Sequence, residues 1–588
     1  MTETPTVSAI PAPVQPAAAA PVVAPDHVDL DPRRWRALPV ILTGLFMVLL
    51  DISIVNVAIP SIRANLGANN ADIQFVVAGY ALAYAVILIT GGRLGDIYGR
   101  KRLFLIGMGG FVVTSALCGL AQNAVMLDIS RVAQGVMAAL MFPQVMSSIQ
   151  VMFPPHERAR AFGLLGAIIG VATITGPLVG GLIIRDDITG GAWRWIFLVN
   201  LPIGILSLIA AIREVPESKA PHASGLDLVG VAIATVGLGL LVYPLVQGQT
   251  EGWPLWTFVC IGVSPFVLAL FVLYERAMPA RRFPLVQLSM FRMRSFSVGV
   301  AVAAFFIAGI PAYFFTFSLM MQSGLGFSAL QAGLTTIPWS FGSAFASAMS
   351  VRVAPKLGKY TITAGCGLLV LGMIGLYITL QLQGENVTSW ALIPSLLISG
   401  LGLGTVIAPL LNIILAGVPT RDAGSASGVL ATFQQLGGAI GVAVVGVIFF
   451  ALISGRADAS AGTAIPQLRQ DLAAAHLPPQ AVDQSVAQFT LCFHDRASST
   501  DPSIVPTSCK ALAASSSNSA ASPCNLTASS PVTAAFERAA CVSLGRTFIQ
   551  SFEPALGICG AFWFITGLLA LLLPRPPQRA GAQMAGAH

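Results

Sequence analysis

The sequence predicts an all-α integral membrane protein with about fourteen transmembrane helices, and three observations carry that reading. Of 588 residues, 55% are hydrophobic and 10% are charged, against roughly 25% charged in an ordinary soluble domain. The apolar residues fall in runs of about 20, the length that crosses a bilayer's hydrocarbon at 1.5 Å per helical residue. Lys and Arg are confined to short segments between those runs. The net charge of +7 therefore encodes topology and does not mark a nucleic-acid face.

Residues 1–36 are rich in Pro and Ala and lack a basic start followed by an apolar stretch. They read as a disordered cytoplasmic tail without a cleavable signal. Six spans follow within 37–213, near 37–58, 74–92, 103–121, 126–149, 161–184 and 194–213. Two more, near 226–247 and 255–274, form an inserted pair at 226–274, and residues 275–294 make a central loop. A second six within 295–574 lie near 295–320, 330–350, 361–381, 390–415, 428–453 and 556–574, with a tail at 575–588.

Short loops alternate sharply in basic content. One set carries Arg33, Arg34, Arg36, Arg100, Lys101, Arg102, Arg158, Arg160, Arg276, Arg281, Arg282, Arg292, Arg294, Arg352, Lys356 and Lys359; the other holds little beyond Arg63, Arg185 and Arg194. Because basic loops stay inside, both termini are expected to be cytoplasmic. A weak repeat relates the halves: Arg93 to Gly99 in GGRLGDIYGRK and Arg352 to Gly358 in SVRVAPKLGKY have the same spacing, as in a duplicated transporter.

The segment 454–555 is polar and rich in Ala, Ser and Pro, and reads as a large outer loop between the last two spans. Its Cys492, Cys509, Cys524 and Cys541 form either two disulfides, with three pairings open, or free thiols in a flexible loop. Cys118, Cys260, Cys366 and Cys559 lie in or at apolar runs.

Inside the first run stands Asp51, about fourteen residues or roughly 21 Å from the cytoplasmic end. An ionised acid near mid-bilayer costs on the order of 2.5–3.5 kcal/mol, so it should face the bundle interior or a watery cavity, where it suits the loading and release of a proton. The bland alternative is a permanently protonated or hydrogen-bonded helix contact. Arg131 in the fourth run lies about 9 Å from the outer end, and subtraction from a 30 Å core places Asp51 at a similar depth. Arg131 is thus a candidate partner of Asp51, with Asp128, three residues earlier on the same helix face, as the competitor.

The loop residues Gly91, Arg93, Gly95, Asp96, Gly99 and Arg100 combine turn-forming glycines with opposed charges, which suits a latch closed in one conformation only. In the fifth run, Gly166, Gly170, Gly176, Pro177, Gly180 and Gly181 permit close helix approach and local flexing. The six histidines form no cluster and there is no Walker-type phosphate loop. Enzyme activity, ATP drive and metal or other cofactors are therefore not expected.

Taken together, LLDISIVNVAIPSI, GGRLGDIYGRK, RVAQGVMAA and GVATITGPLVGG resemble the major facilitator superfamily, specifically its fourteen-span drug and proton antiporters of the EmrB/QacA type. WRWIFLVNLPIG, PLVQLSMFRMRSF and FQQLGGAIGVA add to the likeness, which runs over nearly the whole chain. The resemblance implies two six-helix bundles with two extra inserted helices, and alternating access driven by inward proton flow. It also implies coupling through Asp51 and Arg131, gating through Asp96, and efflux of amphipathic small molecules across a bacterial inner membrane. The rival reading is proton-coupled uptake, or export of one specific metabolite. Some relatives work with a periplasmic adaptor and an outer-membrane channel, so such partners join protons, lipid and substrate as expectations. No acid appears within the tenth or thirteenth run, which disfavours multivalent cations as cargo. Asn56, Tyr313, Trp339 and Gln434 are candidates for lining a permissive pocket, with helix packing the equal alternative for Tyr313 and Trp339.

Overall fold

The computed structural model describes residues 31–68, 70–185, 191–220, 225–248, 251–278, 284–498, 507–509 and 530–574, all helices and connections without a strand among them. The first half contains α1 (Arg34–Leu66), α2 (Asn70–Tyr98), α3 (Arg100–Gly119), α4 (Ala124–Met152) and α5 (Pro155–Arg185). Its sixth span is broken into a 3-10 turn at Ala192–Arg194, α6 (Trp195–Leu198) and α7 (Asn200–Glu214). The inserted pair is α8 (Leu228–Gln247) and α9 (Leu255–Ala277). The second half comprises α10 (Arg294–Leu319), the short α11 (Ala329–Thr335), α12 (Ile337–Leu357), α13 (Tyr360–Gln383), α14 (Ser389–Ala416) and α15 (Ala423–Ala474). It ends with α16 (Pro479–Ser498) and α17 (Pro531–Ala570).

Among the described residues, thirteen helices are long and apolar enough to cross a membrane. The fourteenth of the sequence reading is α12, which is rich in serine. It buries Ser340, Ser343, Ser347 and Ser350 against its neighbours instead of presenting an all-apolar surface.

Each half packs in the same pattern. In the first, α2 and α3 lie on α4, and α1 lies on α5; in the second, α12 and α13 lie on α14, and α10 lies on α15. The halves meet along two equivalent seams, α2 with α15 and α5 with α12. The repeat extends to the backbone: Gly99 after α2 and Gly358 after α12 both have positive φ, +110° and +56°, a conformation that a Cβ disfavours. Outside the α2–α15 seam, α8 packs on α9 and touches both seam helices.

Two expectations are corrected. Residues 91–101 are not a free loop, because α2 runs on to Tyr98 and only Gly99 breaks the chain before α3 begins. The 454–555 segment is not a loose connection either. Helix α15 spans 52 residues, about 78 Å, more than twice the hydrocarbon thickness. It therefore continues well beyond the membrane, and α17 starts outside and runs back in.

With α16, these extensions enclose a separate core built on Ala457, Ala461, Leu468, Leu472, Phe489 and Phe493. The three- and four-residue spacing on α15 is an amphipathic helical stripe. The composition of the whole segment concealed it. Cys492 and Cys509 form a disulfide and Cys541 is disulfide-bonded as well, while Cys524 lies outside the described residues. The flexible free-thiol alternative is thereby excluded for these three.

Basic residues gather at the opposite end of the bundle. Arg34 pairs with Glu157 at 2.9 Å, Lys101 Nζ donates to the Ile212 carbonyl at 2.7 Å, and Arg33 donates to the Arg213 carbonyl.

Candidate functional site

Midway along the first bundle, α1, α3, α4 and α7 converge on one carboxylate. Asp51 is fully buried and Arg131 is 1% exposed. Arg131 Nη1 donates to Asp51 Oδ2 at 2.5 Å and to Gln134 Oε1 at 2.7 Å. Gln134 Nε2 donates to Asp51 Oδ1 at 2.9 Å and to Ser115 Oγ at 2.8 Å. Asn200 Nδ2 reaches the same Asp51 oxygen at 3.4 Å. Arg131 Nε is held by the Val76 carbonyl at 3.0 Å, and its guanidinium lies 4.3 Å from the Tyr80 ring centroid.

A buried ion pair is stable only with such surrounding hydrogen bonds, because desolvating two charges costs several kcal/mol each. Removing either charge leaves the other uncompensated. The matched depths of Asp51 and Arg131 therefore end in direct contact. Asp128 does not take Arg131: its Oδ1 makes no hydrogen bond among the described residues.

Sequence reasoning missed Gln134, Asn200, Ser115 and Tyr80. Gln134 had a signal, since it follows Arg131 by three residues on one helix face. Asn200 had a weaker one, as an amide within the sixth apolar run.

At the basic end, the Gly91–Arg100 motif closes onto the second half. Asp96 is fully buried and caps the start of α15. Its Oδ1 accepts from the Gly424 N–H at 3.0 Å and its Oδ2 from the Ser425 N–H at 2.9 Å. A helix N-terminus presents unpaired N–H groups and partial positive charge, so a carboxylate is favoured there. Arg100 Nη2 donates to Asp96 Oδ1 at 2.6 Å and to the Thr420 carbonyl at 3.0 Å. The backbone N–H of Arg100 donates to the Ser218 carbonyl at 2.9 Å. Gln150 on α4 adds bonds to the carbonyls of Leu415 and Val418 at 2.9 and 3.0 Å.

Glycines make these approaches possible. A Cβ on Gly91 would strike the Ala139 carbonyl, one on Gly92 the Gly424 carbonyl, and one on Gly95 the Gln144 side chain. On α5, Gly176 and Gly180 receive Ser53, Ile54 and Val57 of α1, whereas Gly170 faces Ser340 and Ser343 of α12. Gly181 lies by Leu330, and Pro177 by Gly333. The α5 motif thus lets one helix pack closely on its own half and across the seam.

Of the pocket candidates, Tyr313 and Trp339 are fully and 99% buried and stack with centroids 5.0 Å apart. Phe314, Phe317, Phe552 and Trp563 surround Tyr313. Packing describes the pair in this conformation. Gln434 is half-buried, and the Asn56 side chain lies outside the described ones. The described residues contain no His, Cys, Asp and Glu group able to hold a metal ion.

Comparison with known proteins shows the family. A family model described as Major Facilitator Superfamily matches residues 41–442. The chain is 42% identical to a probable actinorhodin transporter of Streptomyces coelicolor, over 82% of this chain and 83% of the relative. It is 32% identical to the tetracenomycin C resistance and export protein of Streptomyces glaucescens, covering 71% of this chain and 76% of that one. Among solved structures, the human organic anion transporter MFSD10 (TETRAN) superposes with a TM-score of 0.51 at 15% identity. That match covers 71% of this chain and 94% of the other, and it bears on the fold alone.

Proposed function

The chain belongs to the Major Facilitator Superfamily, and from that premise we propose that it exports amphipathic small molecules across a bacterial inner membrane in exchange for protons. It is a multi-pass integral membrane transporter and not an enzyme. The single observation that carries the coupling is the fully buried Asp51–Arg131 pair midway along the first bundle.

The basic end is cytoplasmic by the positive-inside rule, which puts both termini inside. The disulfide-bonded helical extension then lies in the oxidising space outside. In this orientation the latch around Asp96 closes the cytoplasmic side. Asp51, nearer the outer surface, is placed to take a proton from outside. Protonation removes the charge that Arg131 balances, so Arg131 loses its strongest partner and the helices around it rearrange. Alternating access follows as the bundles rock about the α2–α15 and α5–α12 seams, with the Asp96 latch formed in one state and released in the other. Inward proton flow drives cargo outward.

The names of the relatives support export of antibiotic-like molecules, and the close α5 packing at Gly170, Gly176, Gly180 and Gly181 favours antiport over uptake. Tyr313, Trp339, Asn56 and Gln434 become cargo contacts only in a conformation that opens the aromatic cluster. The alternative reading is uptake or export of one metabolite. Energised vesicles carrying a panel of substrates test both: export that collapses with the proton gradient in the intact chain, and in Asp51→Asn at any gradient, supports the proposal. Accumulation in the opposite direction overturns it. Docking of a periplasmic adaptor and outer-membrane channel to the outer helical extension is tested by deleting that extension, since unchanged resistance in cells removes the need for a partner there.

A further inference from the structure

We propose that the inserted helix pair is a working part of the cytoplasmic latch, in which Glu275 of α9 is a positioning residue. It holds the central connection against the latch by accepting two of that connection's buried backbone N–H groups. The inference rests on the reading of the Asp96 cluster as a gate.

Four hydrogen-bonded links run from the first half to the inserted pair. Asp96 on α2 takes the Ser425 N–H of α15 at 2.9 Å. Ser425 Oγ donates to the Leu285 carbonyl of the central connection at 3.2 Å. The Leu285 N–H donates to Glu275 Oε1 at 3.0 Å, and the Val286 N–H donates to the same oxygen at 3.3 Å. Leu285 and Val286 are buried, so their N–H groups need an internal acceptor, and the carboxylate provides one for both.

The second oxygen of Glu275 is buried and makes no hydrogen bond among the described residues. Glu275 as a whole is 6% exposed. Asp227 stands at the start of α8, with one oxygen receiving the Tyr274 hydroxyl at 3.1 Å and the other unpartnered. Both carboxylates flank Gly230, whose missing side chain leaves them room: a Cβ there would lie 3.4 Å from Glu275 Oε1 and collide with Asp227 Oδ2.

Helix α2 must hold Asp96 on α15 while the latch is closed, and Ser425 ties that contact to the central connection. Glu275 anchors the connection to α9 through two buried N–H groups that need an internal acceptor. On this reading the two extra helices brace the closed gate; they do not merely fill space beside the bundle.

The test uses the full chain with its free cysteines replaced and a Ser427→Cys reporter. Ser427 is fully buried beside the seam glycines Gly424 and Gly428, and its hydroxyl has no partner, so the exchange is nearly isosteric. The readout is the labelling rate by a membrane-impermeant maleimide applied to the cytoplasmic face. Glu275→Ala removes the acceptor of the Leu285 and Val286 N–H groups and should raise labelling several-fold. Glu275→Gln keeps an oxygen for both and should restore labelling to near the wild-type rate. Wild-type labelling in Glu275→Ala overturns the inference, as does an equal rise in Glu275→Gln, since the acceptor oxygen would then not be what braces the latch. Asp96→Asn separates the failures: if it also leaves labelling unchanged, the gate reading itself is wrong.

Discussion

An amide in place of the Asp51 carboxylate keeps the shape of the site and can still accept from Arg131, but it cannot exchange a proton. Asp51→Asn should therefore fold and insert while losing at least about tenfold of gradient-driven export, a difference of ~1.4 kcal/mol or more in the coupled step; vesicle flux with and without a proton gradient measures it. Arg131→Ala acts through the opposite charge. It leaves Asp51 uncompensated in a fully buried position, which costs about 3–5 kcal/mol. Thermal unfolding in detergent should show that loss directly. Gln134→Ala removes one donor from Asp51 and one acceptor from Arg131. A hydrogen bond to a charged group contributes about 1.5–3 kcal/mol, so its loss should lower thermal stability and blunt coupling without abolishing transport. Asp51 and Arg131 could be matched from the sequence because depth along a membrane helix is countable. Gln134, Asn200 and Tyr80 could not be grouped with them, because depth says nothing about which faces of four helices point at one another.

Helix seams depend on what is missing from their surfaces. At Gly92 the backbone of α2 lies so close to α15 that a single methyl group would meet the Gly424 carbonyl. Gly92→Ala should consequently weaken the closed latch by about 1–3 kcal/mol through overpacking, and should raise reactivity of a cysteine reporter inside the cytoplasmic seam while Gly109→Ala, where nothing lies within 4 Å, leaves it unchanged. The motif from Gly91 to Arg100 was legible as a latch from its charges and glycines. Its partner was not, since the donors to Asp96 are backbone N–H groups at the start of α15, some 328 residues away, and backbone N–H groups carry no sequence signature. The extension of α15 past the membrane was readable in principle from Ala457, Ala461, Ala464, Leu468 and Leu472, but composition averaged over a hundred residues hides a helical stripe.

Across the whole molecule, two equivalent halves share two seams, the inserted pair lies beside one of them, and a disulfide-bonded helical extension stands at the end opposite the basic residues. The Cys492–Cys509 bridge closes a short loop, with a sequence separation of 17, worth about 3 kcal/mol in the chain-entropy account. Replacing both cysteines by serine should lower the unfolding temperature of the outer extension in calorimetry, while vesicle transport, which depends on sites within the bundle, stays near wild type. By itself the sequence determined the membrane class, the many-helix architecture and the charged residues set within apolar runs, because apolar length and the placement of charge along it are local properties of the chain. Only the tertiary structure decided that Arg131 meets Asp51 and not Asp128, that Asp96 ends on the α15 N-terminus, and that Tyr313 and Trp339 are packed together. Each of those outcomes depends on the rotation and mutual approach of separate helices, and these are set by how surfaces distant in sequence fit against one another.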